Sequence, residues 1–383
     1  MLKCRRLVKS ALDSFHSNGH FQRVLKTIES VNELERRAAE ALKALLDQIP
    51  AISSTDVELE ARGTDWHADI LARVNTGGRR HVLVCEVKSS GQPRHVRMAL
   101  LQLRDYVAHS GTDAIPIFIA PYLSAKAQSL CREQGVGFLD LEGNARLVFN
   151  GVFIERLVQG KPAADRRELR SIFKPKSAQV LRVLLRDPQR SWRVADLAVA
   201  AEVSLGHISN VRLALLDREW ARVGADGLFL FEPDLLLDAW RDAYEPPSGK
   251  RLGFYTILHG SAFEEAARVS LSAANKAGAA MFASFSAAHW LAPYARTGSQ
   301  YFYADEAGAD ALEQGLKLSS TGKGENVVIT RLQDRGLFRD TIEPAPGIVC
   351  TSLVQTYLDL ASSGERGREA ADHLRGERLT WPR

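Results

Sequence analysis

Asp69, Glu86 and Lys88 are residues of the right kind to hold a divalent cation beside a phosphodiester, and a short hairpin can bring them together. Ala68 to Val74 and Arg80 to Lys88 read as strands, with Asn75-Thr76-Gly77-Gly78 between them supplying residues tolerant of positive φ. With Gly77-Gly78 as a two-residue loop, Asp69 falls opposite Glu86, their Cβ atoms about 5 Å apart. Lys88 lies two residues on and projects from the same face as Glu86. Two close carboxylates repel unless a proton or cation intervenes, and hard oxygen ligands suit Mg²⁺ or Mn²⁺. A metal there would polarise a phosphodiester, while Lys88 would hold the attacking water and offset developing negative charge. A solvated Glu/Lys pair at a strand end is the plainer reading. It must also explain why a charged triplet closes the apolar run Val82-Leu83-Val84-Cys85.

Gln102 and Tyr106 follow on a helix that starts after Pro93, where positions i and i+4 share a face, so both are expected to lean toward the sheet. Asp69…Glu86-x-Lys88 resembles the core motif of the restriction-endonuclease-like PD-(D/E)xK superfamily, and Gln102-x-x-x-Tyr106 resembles the extra motif of its RecB-type branch. The resemblance implies a metal-dependent nuclease site. Asp69 and Glu86 would be the ligands, Lys88 would sit at the water, and Gln102 and Tyr106 would position substrate. It implies Mg²⁺ or Mn²⁺ if that site is live and no cofactor otherwise. The family usually adds an acidic residue on the helix before the hairpin; Glu33, Glu35 and Glu40 all qualify, and none stands out.

The elements that must position these residues are legible around them. Residues 1–31 read as a basic helical segment, and Asn32 as the N-cap of a further helix, with Glu35 as its capping-box partner. Residues 32–160 then carry helix, strands, helix and strand in the order of a restriction-type α/β core. Glu142-Gly143-Asn144 reads as a tight turn without chemistry. Residues 161–245 form a basic linker and a winged helix-turn-helix. After Pro246-Pro247-Ser248-Gly249, residues 250–383 form a mixed α/β domain. The expected fold class is thus α/β and α+β, multidomain.

Lys161 to Arg193 holds ten Lys or Arg against three acidic residues. A charge run is commonly a solvated linker. Here it precedes helices at 177–186 and 194–201 and a third helix capped by Ser204, which makes phosphate contact the better reading. Arg166, Arg167, Arg170, Lys174 and Lys176 are the expected phosphate contacts. In the third helix Val203, Leu205, Ile208, Leu215 and Leu216 should pack inward. Ser204, His207, Ser209, Asn210 and Arg212 should face the DNA. Arg222 to Leu230 supplies the wing.

The tail, Gln355-Thr356-Tyr357-Leu358-Asp359-Leu360 followed by Arg366-Gly367-x-Glu369-Ala370-Ala371, resembles the C-terminal part of AbiEi-type antitoxins and regulators. That resemblance implies a winged helix on a promoter, a homodimer and a cognate toxin. The 383 residues are 45 % apolar and 25 % charged with net charge +4, as in ordinary globular proteins. No apolar run suggests a membrane span, no signal peptide is legible, and four scattered cysteines argue against zinc or a disulfide framework, so a cytoplasmic chain is expected. Two functions follow: a DNA-binding regulator or antitoxin-like repressor acting on duplex DNA, or a Mg²⁺-dependent endonuclease targeted by the winged helix.

Overall fold

A computed structural model describes residues 19–62, 67–110, 114–160, 162–294, 298–320 and 323–381. The chain divides into two compact units, Met1–Asp165 and Arg166–Arg383. The mixed α/β class expected from the sequence is observed in both.

The first unit opens with α1 (Gly19–Leu46). Asn32 is inside this helix rather than capping it. No Gly or Pro lies between Gly19 and Pro50, so nothing supplies the non-helical turn that an N-cap needs. The first 18 residues of the expected N-terminal segment lie outside the described residues. A seven-stranded sheet follows in sequential order: β1 (Ile52–Arg62), β2 (His67–Thr76), β3 (Arg79–Val87), β4 (Ala114–Ala120), β5 (Gly137–Asp140), β6 (Ala145–Phe149) and β7 (Val152–Arg156). The first three strands pair antiparallel. β3, β4 and β5 pair parallel, joined by α2 (Pro93–Ser110) and α3 (Ala125–Glu133). Element order through β4 is therefore helix, three strands, helix, strand.

Burial on both faces explains the continuous apolar run of β4. Ile117 and Ile119 join Leu42 and Leu46 of α1 in one cluster, whereas Phe118 and Ala120 join Val96 and Leu103 of α2 and Leu130 of α3 in another. Val84 belongs to the second cluster and Cys85 to the first, so Glu86 stands on the α2 side. Beyond β5, buried Asp140 accepts the N–H groups of Leu123, Glu142 and Asn144. The turn at 142–144 is thereby structural.

The second unit begins within α4 (Ala163–Ile172). A helical triplet follows: α5 (Pro175–Arg186), α6 (Val194–Ala201) and α7 (Leu205–Asp217). The hairpin β8 (Ala221–Gly224) and β9 (Gly227–Leu230) is extended by Trp192, which exchanges two backbone hydrogen bonds with Leu228. Next come α8 (Pro233–Asp242), β10 (Gly249–Tyr255), α9 (Gly260–Ala277), β11 (Ala280–Phe282), α10 (Ser284–Leu291), β12 (Gln300–Ala304), α11 (Glu306–Gly315), β13 (Ser319–Ser320) and β14 (Val327–Leu332). The chain closes with β15 (Thr341–Ala345), β16 (Ile348–Thr351), α12 (Leu353–Ala361) and α13 (Gly364–Arg378). The strands form a mixed sheet ordered β13-β10-β14-β12-β11-β16-β15.

One apolar cluster joins the triplet to this sheet and its helices. Leu169, Leu181, Ile208, Leu236, Trp240, Phe302, Tyr357 and Leu374 all belong to it. It runs across Pro246-Pro247-Ser248-Gly249, so that segment does not separate two cores. Among the described residues, no helix is long and apolar enough to cross a membrane.

Candidate carboxylate site and candidate nucleic-acid interface

Gly77 and Gly78 both adopt left-handed φ, +58° and +77°, and close β2 onto β3. Pairing runs from Thr76↔Arg79 down to Ile70↔Cys85, which puts Asp69 and Glu86 at the next step, the register expected from the turn. Asp69 Oδ2 accepts the Val87 N–H at 2.7 Å, and Lys88 Nζ pairs with Glu86 Oε1. Lys88 N donates to Ile119 O at 3.0 Å, so the backbone stays in strand contact through the lysine. Asp69 and Lys88 are half-buried and Glu86 is buried. Burial pushes the Glu86 carboxyl above its ordinary range; Asp69 pushes the same way, and the Lys88 hydrogen bond opposes.

The structure also separates the three glutamates of α1. Arg36 pairs with both Glu33 and Glu40 on the exposed side of the helix. Glu35 is half-buried, and its carboxyl is raised first by burial and then by the charges of Asp69, Glu60 and Glu86, with Lys88 opposing. Glu35 thus senses the same negative patch. The one-dimensional sequence could not distinguish it, because all three residues suit an amphipathic helix equally well.

Among the described residues, no three His, Cys, Asp or Glu side chains converge into a ready-made ion cage. Asp69 and Glu86 nevertheless fit Mg²⁺ or Mn²⁺. Their donors are hard carboxylate oxygens, Lys88 and His67 offset part of the Glu86 charge, and Mg²⁺ commonly takes only one or two protein carboxylates, completing its shell with water and phosphate.

Gln102 and Tyr106 do not share an environment, contrary to expectation. Tyr106 is buried in the cluster between α2 and the sheet, whereas Gln102 is exposed. Four residues turn a helix through about 400°, so a pair near the rim of the buried stripe can fall on either side of it. Leu103, adjacent to Gln102, takes the inward position.

In the second unit Arg166, Arg167, Arg170, Lys174 and Lys176 are all exposed; Lys161 lies outside the described residues. Arg170 makes a long ion pair with Glu245 at 3.7 Å. The run is not uniformly available, however. Arg182 is buried against Gln355 and Asp340, and Arg186 pairs with Asp340 as well.

Ser204 caps α7 by accepting the His207 N–H at 3.3 Å, and α7 ends at Asp217 before Arg218. Ile208 and Leu215 pack inward, and Ser209 and Asn210 are exposed. Two expectations for this helix are corrected. His207 is half-buried, its Nε2 3.1 Å from Ser177 Oγ, so it braces α7 on α5 instead of facing outward. Leu205 is 57 % exposed rather than packed inward, and Ile208, one turn on, takes the core position. Arg212 is half-buried. At the hairpin, Arg222 lies over the Phe231 ring at 3.1 Å and Arg190 over Trp192 at 3.8 Å.

Residues 229–380 match the family model described as a transcriptional regulator, AbiEi antitoxin, of a Type IV TA system. No curated protein matches the chain. Among solved structures, the chain is similar to a repair endonuclease from Pyrococcus abyssi, with 18 % identity over 27 % of this chain and 46 % of that one, at a TM-score of 0.21. It is also similar to EndoMS in its apo form (17 % identity, 27 % and 45 % covered, TM-score 0.20) and in a dsDNA complex (21 %, 29 % and 46 %, TM-score 0.21). The aligned part spans less than half of each of those chains.

Proposed function

We propose that the chain is a DNA-binding transcriptional regulator of the antitoxin kind, and that α5, α6, α7 and the β8–β9 hairpin act as a winged helix-turn-helix on duplex DNA. The observation that carries this reading is the exposure of Ser209 and Asn210 on α7 together with that of Arg166, Arg167, Arg170, Lys174 and Lys176 just upstream in the chain. The cations would contact phosphates and fix register, Ser204 and the α7 N-terminus would hold a phosphate oxygen, and Asn210 would read a base edge. Arg212 would reach from the flank of α7, and His207 would act by holding that helix in place. The match of residues 229–380 to a regulator family supports the same reading.

A gel-shift selection from random duplexes, run with and without Mg²⁺, tests it. Enrichment of one sequence is expected; recovery of unselected duplexes alone would refute it. A palindromic winner would point to a homodimer. Co-purification with a co-expressed neighbouring gene product would identify a toxin partner. The setting for both is the cytoplasm.

The juxtaposition of Asp69, Glu86 and Lys88 favours a second reading, a Mg²⁺- or Mn²⁺-dependent nuclease directed by the same winged helix. Asp69 and Glu86 would hold the ion, which would supply Lewis acidity and a more acidic water. Lys88 would orient that water, Glu35 would tune the patch charge, exposed Gln102 would reach substrate, and buried Tyr106 would brace α2 on the sheet. Incubation with labelled linear, nicked and single-stranded DNA decides between the two. Cleavage by the parent and none by Lys88→Ala would make the chain an enzyme.

A further inference from the structure

Within the second unit, a cavity of about 290 Å³ is bordered by α4, α5, α8, the 245–248 segment, the end of β14 and α12. Its size is at the lower end of small-molecule sites. One wall is apolar and aromatic. Phe173 and Trp240 line it and stack at 5.6 Å with 5° between their planes, beside Ala178, Ala243, Pro247 and Leu337.

The other wall is polar and rigidly held. Arg182, 4 % exposed, lines it with five N–H donors but makes one long hydrogen bond, from Nη1 to Gln355 Oε1 at 3.3 Å. Its Nε lacks a hydrogen-bond partner and lies 3.6 Å from Asp340 Oδ2. Gln355 cannot turn away, because its Nε2 donates to Tyr244 Oη at 2.7 Å and to Asp359 Oδ1 at 2.9 Å. Tyr244 is fixed in turn by donating to Asp359. Asp340 thus pairs the Arg182 charge at long range, and an acceptor in the cavity would add the short hydrogen bonds the guanidinium lacks. Lys174 and Arg170 add two further cations to the lining, against Glu245 and Asp334; Glu245 already faces Arg170, and Asp334 already accepts the Gly336 N–H.

We propose that this cavity is a ligand site for a small organic carboxylate carrying a flat apolar ring, with the carboxylate on Arg182 and the ring against the Phe173–Trp240 wall. The assignment does not depend on the DNA-binding reading. Benzoate is the probe and benzamide its uncharged counterpart. The indole N–H resonance of Trp240, identified by its loss in Trp240→Phe, reports occupancy in DNA-free full-length protein. Benzoate should move this resonance saturably, and benzamide should bind about tenfold more weakly or worse, the loss of one charge-assisted hydrogen bond. Ala243→Trp should fill the cavity and abolish the benzoate response while leaving the circular dichroism and melting point of the parent. The proposal is overturned if benzoate produces no saturable shift, if benzamide matches it, if Ala243→Trp responds like the parent, or if inorganic phosphate reproduces the benzoate response at equal affinity.

Discussion

Asp69 is tethered to the residue that separates Glu86 from Lys88: its Oδ2 accepts the Val87 N–H at 2.7 Å. One carboxylate of the patch is thereby positioned by the backbone carrying the other. If Asp69 and Glu86 bind Mn²⁺, saturating ion should stabilise the fold by about 2.7 kcal/mol at a hundredfold excess over Kd, and Glu86→Ala should abolish that gain. Thermal melts across a Mn²⁺ titration check this, and an unchanged midpoint in the parent would dismiss the ion. If cleavage is detected, Lys88→Ala should lower its rate by about 10²–10³.

Neutralising Arg166, Arg167 and Arg170 together should weaken duplex binding on every sequence and flatten its logarithmic salt dependence by about three units, near 0.9 per phosphate. Asn210→Ala should leave that slope alone and lower discrimination between the selected site and its point variants by about 1–3 kcal/mol. Salt-dependent fluorescence anisotropy separates the two effects.

Asp359 gives the fold a pH dependence. Burial pushes its carboxyl from the ordinary 3.8 up to about 6, opposed by hydrogen bonds from Tyr244, Gln355 and Tyr303. Between those values the folded chain holds a proton that the unfolded chain releases. The stabilisation is therefore full below about pH 4 and is lost as pH rises through about 6, an upper bound of roughly 3 kcal/mol. Urea midpoints of Asp359→Asn should be flatter than the parent's between those limits; parallel curves would remove Asp359 from this role.

Gly227 stands at φ +134°, and a Cβ there would strike the Trp192 carbonyl, which pairs with Leu228. Gly227→Ala should destabilise the second unit by about 1–3 kcal/mol and loosen the hairpin. Hydrogen exchange at Leu228 N–H measures that loosening directly. Protection equal to the parent's would contradict it.

Arg170 and Lys174 line the cavity and are also proposed phosphate contacts. Saturating benzoate should thus weaken duplex binding about fivefold or more. Anisotropy with benzoate and benzamide in parallel tests the coupling.

Much of this arrangement was readable beforehand because short-range chemistry dictates it. Gly77-Gly78 set the hairpin register, Ser204 announced the start of α7, and Ser177 to Arg186 showed the helical apolar spacing of α5. β1 was counted in the strand order without bounds, although Asp56 to Arg62 alternates polar and apolar residues with period two. The distinction among Glu33, Glu35 and Glu40 depends on tertiary neighbours, as does the exposure of Gln102. Arg182 illustrates the same limit. Counted among surface cations by composition, it is enclosed because Asp340, more than 150 residues later, folds back against it.

The apolar cluster that continues from Leu169 to Leu379 has a practical corollary for dissection of the gene. Scission at 246–249 would strip Trp240 and Leu236 of their cover on one side and Tyr357 and Leu374 on the other, so neither fragment should accumulate in native form. Heating the intact chain should melt everything after residue 166 as a single cooperative event.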